Sequence, residues 1–154
     1  MGLEKYTSEV VNLDWNQEVV FEKLSSFKTF EALFTPENIE KVKSQVKDAP
    51  DFKIEDFEAT VDTCSFKVGS IGRTGLQIIN REPAKEIKMT GHGTVPFKFT
   101  LWIQILPVAN ATSKVRLTLH ADMNMMMKMM VGKKLKKGID QLANGMQQIP
   151  FGML

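Results

Sequence analysis

The feature that most constrains the fold is an alternation of apolar and polar residues that runs from residue 56 to residue 122. Successive side chains of a β-strand point to opposite faces, so this alternation predicts strands with one buried and one exposed face. The links between the alternating runs contain Pro, Gly and Asn, which is typical of an antiparallel meander. We predict six strands, at residues 56–62, 63–69, 73–83, 84–93, 96–108 and 113–122.

Further elements flank the predicted meander on both sides. Residues 6–14 are rich in β-branched side chains and predict one N-terminal strand. Two helices follow at 15–27 and 28–49, the first with Asn16 or Asp14 as its N-cap and the second broken at Thr35–Pro36. The last predicted element is a long helix at 123–148.

Long, strongly twisted strands curl and leave a concave apolar face that another element must cover. The C-terminal helix is the one predicted element long enough to do so. We therefore predict an α+β fold in which a curved antiparallel sheet, built from one N-terminal strand and the six-strand meander, wraps around the C-terminal helix. A single helix held by such a sheet leaves a gap, and a gap of this kind can hold a ligand.

Three stretches of the sequence match a known pattern. They are "VVNLDWNQEVVFEKLSSFKTFEAL" at 10–33, "EPAKEIKMTG" at 82–91, and 96–123, which starts "PFKFTLWIQILPV" and ends "SKVRLTLHADM". In this order they resemble the first strand and helix, the turn and strand, and the last hairpin of the START-like superfamily, also called SRPBCC. That superfamily includes birch-pollen-allergen proteins, START lipid-transfer domains and polyketide cyclase/dehydrase-like proteins. The resemblance covers nearly the whole chain and implies the helix-grip fold.

The resemblance also implies a cavity between the sheet and the C-terminal helix. We expect non-catalytic binding or transport of a small hydrophobic or amphipathic ligand there, lipid-like or polycyclic. A polyketide cyclase/dehydrase-like enzyme is the alternative, and a protein-interaction module or homodimer is a second one. Residues with inward parity on the strands, or on the apolar side of the helix, form the expected lining: Met89, Phe97, Phe99, Leu101, Ile103, Val115, Leu117, Leu119, Met127, Val131 and Leu135.

Composition narrows the classes of partner. The 154 residues predict a single domain spanning 1–154, and the net charge of +2 is too small to indicate nucleic acid. No apolar run approaches the roughly 18 residues of a membrane helix, so we expect no stable membrane insertion. Cys64 is the one cysteine, which excludes an intramolecular disulfide and favours a cytoplasmic location.

The sequence contains no motif for a cofactor or a metal. The glycine-rich segment "VGSIGRTG" at 68–75 fits neither of the common phosphate-binding patterns, and it precedes a strand instead of a helix. The two histidines show no metal-ligand spacing with each other or with a glutamate. We therefore expect no cofactor and no metal.

The sequence offers few catalytic candidates. His92 and His120 share parity with polar neighbours and are predicted to point outward. Cys64 has inward parity without a local cationic neighbour, so it is predicted to be a small buried residue and not a reactive thiolate. Asn80 and Arg81 are the remaining candidates for the enzyme alternative, on a strand whose facing the pattern leaves open.

The start of the C-terminal helix combines methionines and lysines. On a helical wheel, one side of the predicted helix forms an apolar stripe of Val131, Leu135, Ile139, Leu142, Met146 and Ile149. In "DMNMMMKMMVGKKLKK" (122–137) the lysines from residue 133 onward fall on the opposite side, while the methionines surround the helix. Methionine fills irregular gaps well, so these side chains are expected to fill the core or to line an adaptable pocket. Together with Trp102, which has outward parity, they are also the basis of the homodimer alternative.

Overall fold

The computed structural model describes residues 2–31, 37, 54–68, 72–95, 97–109 and 111–153. Eight strands lie within these residues: β1 (Gly2–Thr7), β2 (Val11–Leu13), β3 (Ile54–Ala59), β4 (Thr63–Val68), β5 (Gly72–Glu82), β6 (Glu86–Gly93), β7 (Phe99–Ala109) and β8 (Thr112–Met123). The α-helices in the same described ranges include α1 (Gln17–Leu24), α2 (Phe27–Phe30) and α3 (Met125–Gly145), and short 3-10 helices follow at Met146–Gln148 and Phe151–Met153.

The strands form one antiparallel sheet in the order β1-β8-β7-β6-β5-β4-β3, and β2 also pairs with β8. The predicted six-strand meander is confirmed, because each strand from β3 to β7 pairs with the next strand along the chain. The predicted α+β architecture, a curved sheet with a long C-terminal helix and short helices after the N-terminal strand, is confirmed as well.

The N-terminal strand is interrupted, which the sequence did not indicate. β1 pairs with the C-terminal half of β8 and β2 with its N-terminal part. Between them, the Ser8 amide donates to the Leu117 carbonyl, and the Ser8 hydroxyl accepts from the Leu117 amide at 2.8 Å. The Ser8 side chain thus replaces a backbone acceptor, and the edge strand bends without leaving a buried amide unpaired.

The first helix is capped as the sequence predicts. The Asn16 side chain accepts a hydrogen bond from the Val19 amide at 2.8 Å, so Asn16 is the N-cap of α1. The helix buries Val20 and Leu24 against the sheet. The second predicted helix, 28–49, falls largely on residues 32–36 and 38–49, which lie outside the described residues.

The long helix is rotated relative to the predicted apolar stripe. Its buried residues are Gly132, Ile139 and Ala143, whereas Leu142, predicted to lie in the stripe, is 50% exposed. Two of the three buried residues are small, so the helix backbone can approach the sheet closely along that line. Because the helix backbone lies close to the sheet, the small residues Gly132 and Ala143 are buried at this contact, whereas Leu142 stays half exposed.

Candidate binding site at the open end of the sheet

The two ends of the concave sheet face differ in what covers them. Helix α1 packs against β6, β7 and β8 and against the last 3-10 helix, where Phe151 is fully buried. Helix α3 starts at the opposite end, directly after β8, and packs mainly on β8 and β1 at the edge of the sheet. We call the end near α1 and Phe151 the closed end, and the end where α3 begins the open end.

Burial along β7 follows this difference. Ile105, near the closed end, is 1% exposed, and Leu101 is 6% exposed. Phe99, at the open end, is partly exposed although it points to the same face. The concave face is therefore tightly packed at the closed end and less covered around Phe99, whereas Ala121 and Met123 of β8 are buried at the open end.

The predicted lining residues divide between these regions. Six belong to the closed core and are almost inaccessible: Met89, Leu101, Ile103, Val115, Leu117 and Leu119. Phe99 and Leu135 are partly buried against that core. Phe97, Met127 and Val131 are partly exposed, Phe97 just before β7 and the other two on the first turns of α3. Five of the predicted residues thus lie toward the open end.

Two pairs of aromatic side chains lie toward the open end. Phe97 and Phe99 meet edge to face with their ring centroids 6.2 Å apart. Phe57 and Phe66, on the neighbouring strands β3 and β4, stack with centroids 6.4 Å apart. Gly91 on β6 leaves room for the Phe99 ring, since an added Cβ would lie 2.9 Å from it. The absence of a side chain at residue 91 lets this ring approach the backbone of β6.

Sequence reasoning missed one polar residue of this region. Tyr6 pairs with Leu119 and so shares the concave face with it, and its buried hydroxyl has no hydrogen-bond partner among the described residues. The strand predicted at 6–14 starts at Tyr6, so the alternation does not indicate which face this residue occupies. The one signal in the sequence is that Tyr6 is the single tyrosine of the chain.

A charged pair borders the open end. Glu4 lies two residues before Tyr6 on the same face of β1, and its carboxylate is 3.2 Å from the Lys128 ammonium on α3. Lys128 is more than half exposed, so the pair lies at the surface. It joins the edge strand to the first turns of the helix.

The catalytic candidates do not gather at this site. His92 is exposed, and His120 packs against Trp102 on the outer sheet face, with ring centroids 4.6 Å apart. The Arg81 guanidinium donates to the Ser25 carbonyl and to the Asp62 carboxylate at the junction after α1, while Asn80 is exposed. Trp102 is partly buried by intrachain packing, with the Lys88 ammonium 5.6 Å from its ring centroid.

Cys64 is buried on the concave face, as its parity predicts. Desolvation raises the pKa of its thiol, against a smaller opposing effect of a backbone hydrogen bond at Leu76. The thiol is therefore neutral at physiological pH, and a neutral buried thiol is a poor nucleophile.

Two surface depressions lie elsewhere. One, of about 500 Å³, is lined by Glu9 and by polar residues of α3 from Lys133 to Asn144, and one of about 250 Å³ surrounds Trp102 and His120 on the outer face. Within the described part of the chain, no group of three or more His, Cys, Asp or Glu side chains could hold a metal. No helix in that part is long and apolar enough to cross a membrane.

Solved structures share this architecture at low sequence identity. A START superfamily protein from Mycobacterium smegmatis is similar with a TM-score of 0.57 and 12% identity, over 95% of this chain and 94% of that one. Norcoclaurine synthase from Thalictrum flavum, in complex with dopamine and hydroxybenzaldehyde, is similar with a TM-score of 0.59 and 7% identity, over 96% and 86%. A Thermobifida fusca protein solved by NMR has a TM-score of 0.58 and 13% identity, over 97% and 94%.

No family model matches the chain, and no curated protein is significantly similar to it in sequence. The likeness is therefore one of structure, and it extends over nearly the whole chain. On this structural evidence, the chain has the helix-grip fold of the START-like, or SRPBCC, superfamily.

Proposed function

We propose that the chain binds a small hydrophobic or amphipathic molecule, lipid-like or polycyclic, at the open end between the concave sheet face and α3. The observation that carries the proposal is the unequal burial of one apolar face. Ile105 and Leu117 are fully packed, while Phe99, Met127 and Val131 remain partly exposed at the other end. An apolar surface bordered by a few polar groups is the usual character of a small-molecule site.

The fold supports the same function class. Norcoclaurine synthase, which shares the helix-grip fold, was solved with two small aromatic molecules, dopamine and hydroxybenzaldehyde. The phenylalanines at the open end offer comparable aromatic surface to a planar ligand. Met127 adds a flexible, polarisable side chain that can adapt to ligands of different shape.

The enzyme alternative receives less support from the described residues. A cyclase or dehydrase needs ionisable groups that converge on the bound molecule. Arg81 is engaged at the closed end, and Cys64 is held in its neutral form. Glu4 and Lys128 neutralise each other at the surface.

The proposal is tested by displacement of Nile red, a neutral environment-sensitive dye, combined with native mass spectrometry of the purified protein. We expect the dye to bind and native mass spectra to show a small molecule retained by the folded chain. The variant Val131→Phe should weaken dye binding several-fold, because the larger side chain fills the open end. Circular dichroism verifies that the variant is folded.

Leu142→Phe is the matched control, since Leu142 is on the same helix and half exposed but lies nearer its C-terminal end. It should bind the dye as the wild type does. If wild-type protein binds neither the dye nor a copurified molecule, the binding function is wrong. If both variants weaken the dye equally, the site lies elsewhere.

Self-association is a second candidate. Met125, Met126, Met129 and Met130 are between 67% and 81% exposed, and together they form what we call the methionine strip. On a helix with about 100° per residue they fall within an arc of about 140°. Exposed apolar side chains that lie side by side favour contact with another molecule.

A further inference from the structure

The hydroxyl of Tyr6 is a buried polar group that forms no hydrogen bond with the described residues. Tyr6 lies in the middle of β1, opposite Leu119 of β8, with its ring on the concave face beneath α3. Its oxygen is inaccessible to solvent and has no hydrogen-bond partner in the part of the chain that the structure describes. A buried hydroxyl without a partner is unfavourable, so such groups are rare and call for an explanation.

The helix above Tyr6 is positioned closely over the hydroxyl. An added Cβ at Gly132 would lie 3.0 Å from the Tyr6 oxygen, so the absence of a side chain at residue 132 makes room for it. Gly132 is buried in the middle of a helix, where glycine is unfavourable. Gly132 thus weakens the helix at the position where the absence of a side chain makes room for the Tyr6 hydroxyl.

Strand pairing connects Tyr6 to the proposed binding site through two residues of the closed core. Leu119, its strand partner, pairs with Leu101, which neighbours Phe99 along the inward face of β7. Val131 precedes Gly132 on α3 and is partly exposed. A molecule that enters between the open end of the sheet and the helix therefore approaches this hydroxyl.

We propose that Tyr6 is the polar recognition residue of the site and forms a hydrogen bond to a neutral oxygen, a hydroxyl or a carbonyl, of an otherwise apolar ligand. This inference rests on the proposed binding function and narrows its ligand class. A hydrogen bond to the ligand oxygen gives the Tyr6 hydroxyl a partner. A ligand that lacks this oxygen leaves the hydroxyl buried without one.

The charges around the site favour a neutral ligand over an anionic one. A carboxylate in an apolar site needs a cation beside it. Lys128, one helical turn before Gly132, already pairs with Glu4 at 3.2 Å. An anionic ligand would have to break that pair, whereas a neutral hydroxyl or carbonyl needs only the hydrogen bond from Tyr6.

The test compares three probes of the same ring system by equilibrium dialysis: 2-naphthol, 2-methylnaphthalene and 2-naphthoate. The variant Tyr6→Phe removes the hydroxyl and keeps the ring. We expect it to weaken 2-naphthol binding about tenfold or more, the equivalent of one hydrogen bond, and to leave 2-methylnaphthalene within about twofold. Thr7→Val, which removes a hydroxyl from the adjacent position of β1 on the opposite face, should change neither affinity.

The outcomes separate this inference from the function on which it rests. If Tyr6→Phe binds 2-naphthol as the wild type does, while Val131→Phe weakens the binding of both 2-naphthol and 2-methylnaphthalene, the proposed role of Tyr6 is wrong. The proposed binding site is supported in that case. If the wild type binds no probe and no Nile red, the binding function itself is wrong. Tighter binding of 2-naphthoate than of 2-naphthol, lost in Tyr6→Phe, would overturn the preference for a neutral ligand.

A second measurement needs no ligand. Because the hydroxyl has no hydrogen-bond partner among residues 2–31, 37, 54–68, 72–95, 97–109 and 111–153, the thermal unfolding midpoint of ligand-free Tyr6→Phe should equal that of the wild type or exceed it. A clearly lower midpoint would mean that the hydroxyl has a structural role, and would contradict the proposal.

Discussion

Gly75 lies where two strands approach too closely for any other residue. It pairs with Ser65 of β4, and an added Cβ would overlap the carbonyl oxygen of Cys64. Gly75→Ala must therefore push the paired strands β4 and β5 apart. We expect it to lower the free energy of unfolding by at least about 2 kcal/mol, as urea denaturation can measure.

Gly138 provides the matched control for this prediction. It is exposed on α3, and an added Cβ would meet nothing within 4 Å. Gly138→Ala should raise the free energy of unfolding by up to about 1 kcal/mol, because alanine favours the helix and restricts the unfolded chain. If the two substitutions had the same effect, the close approach at Gly75 would not be the cause.

At the residue scale, the sequence predicts which face a strand residue occupies, because the two-residue period is a local property. The inward facing of Leu101, Ile103 and Leu117 and the outward facing of His92 follow from it. The tight contact at Gly75 does not, since it depends on how closely a strand ten residues earlier approaches. The burial of the Tyr6 hydroxyl likewise depends on a helix more than a hundred residues away.

At the element scale, the Asp140 carboxylate is one of the groups that hold α3 near the edge of the sheet. Asp140 accepts hydrogen bonds from the Lys136 ammonium and from the Glu9 amide, both at 2.8 Å. Desolvation alone would raise the pKa of Asp140, but these hydrogen bonds and the attraction of Lys136 together hold that pKa below its ordinary value. The ionised carboxylate therefore favours the folded state.

This pKa shift predicts how stability depends on pH. A carboxyl whose pKa is lowered on folding stabilises the protein above its unfolded pKa, and the stabilisation is lost as pH falls through the folded pKa. We expect Asp140→Asn to be less stable than the wild type at pH 7, with the difference shrinking as pH falls below about 4. Urea denaturation at pH 7, 5 and 3 measures this difference.

Asp122→Asn, an exposed change on β8, is the control for altered net charge. It should follow the wild type across the same pH range. A constant difference between Asp140→Asn and the wild type at all three pH values would show that the Asp140 carboxylate acts by packing and not by its charge.

The sequence predicts most elements because each long strand carries its own period. It does not predict the break between β1 and β2, where the Ser8 hydroxyl replaces a backbone acceptor. Nor does it predict the rotation of α3. The helical wheel ranks Leu142 as a core residue by its hydrophobicity, whereas close packing against the sheet selects Ala143.

At the scale of the whole molecule, the chain covers one concave face unevenly. Helix α1 and the residues around Phe151 fill one end, while α3 packs mainly at the β1–β8 edge and leaves aromatic side chains partly exposed at the other. The sequence predicts which face of the sheet is apolar, because the alternation gives the facing of each strand residue. It does not predict which end of that face is less covered, because the alternation is the same at both ends of a strand. Which end stays less covered depends on where the loops and helices return to the sheet, and the period of the strands carries no information about that.

The methionine strip gives the last prediction at this scale. Its four side chains are too exposed to stabilise the core, and Met127 is the methionine of α3 with less exposure. If the strip is a contact between two copies of the chain, the mass measured by light scattering should rise from one chain toward two as the protein concentration increases. Met126→Gln combined with Met129→Gln should keep the measured mass at that of one chain, because the glutamine amides would lose their hydration at the contact.

Leu142→Gln, on the same helix outside the strip, is the control and should associate like the wild type. A wild-type protein that stays at the mass of one chain up to about millimolar concentration, where contacts of about 4 kcal/mol are detected, would show that the strip faces solvent.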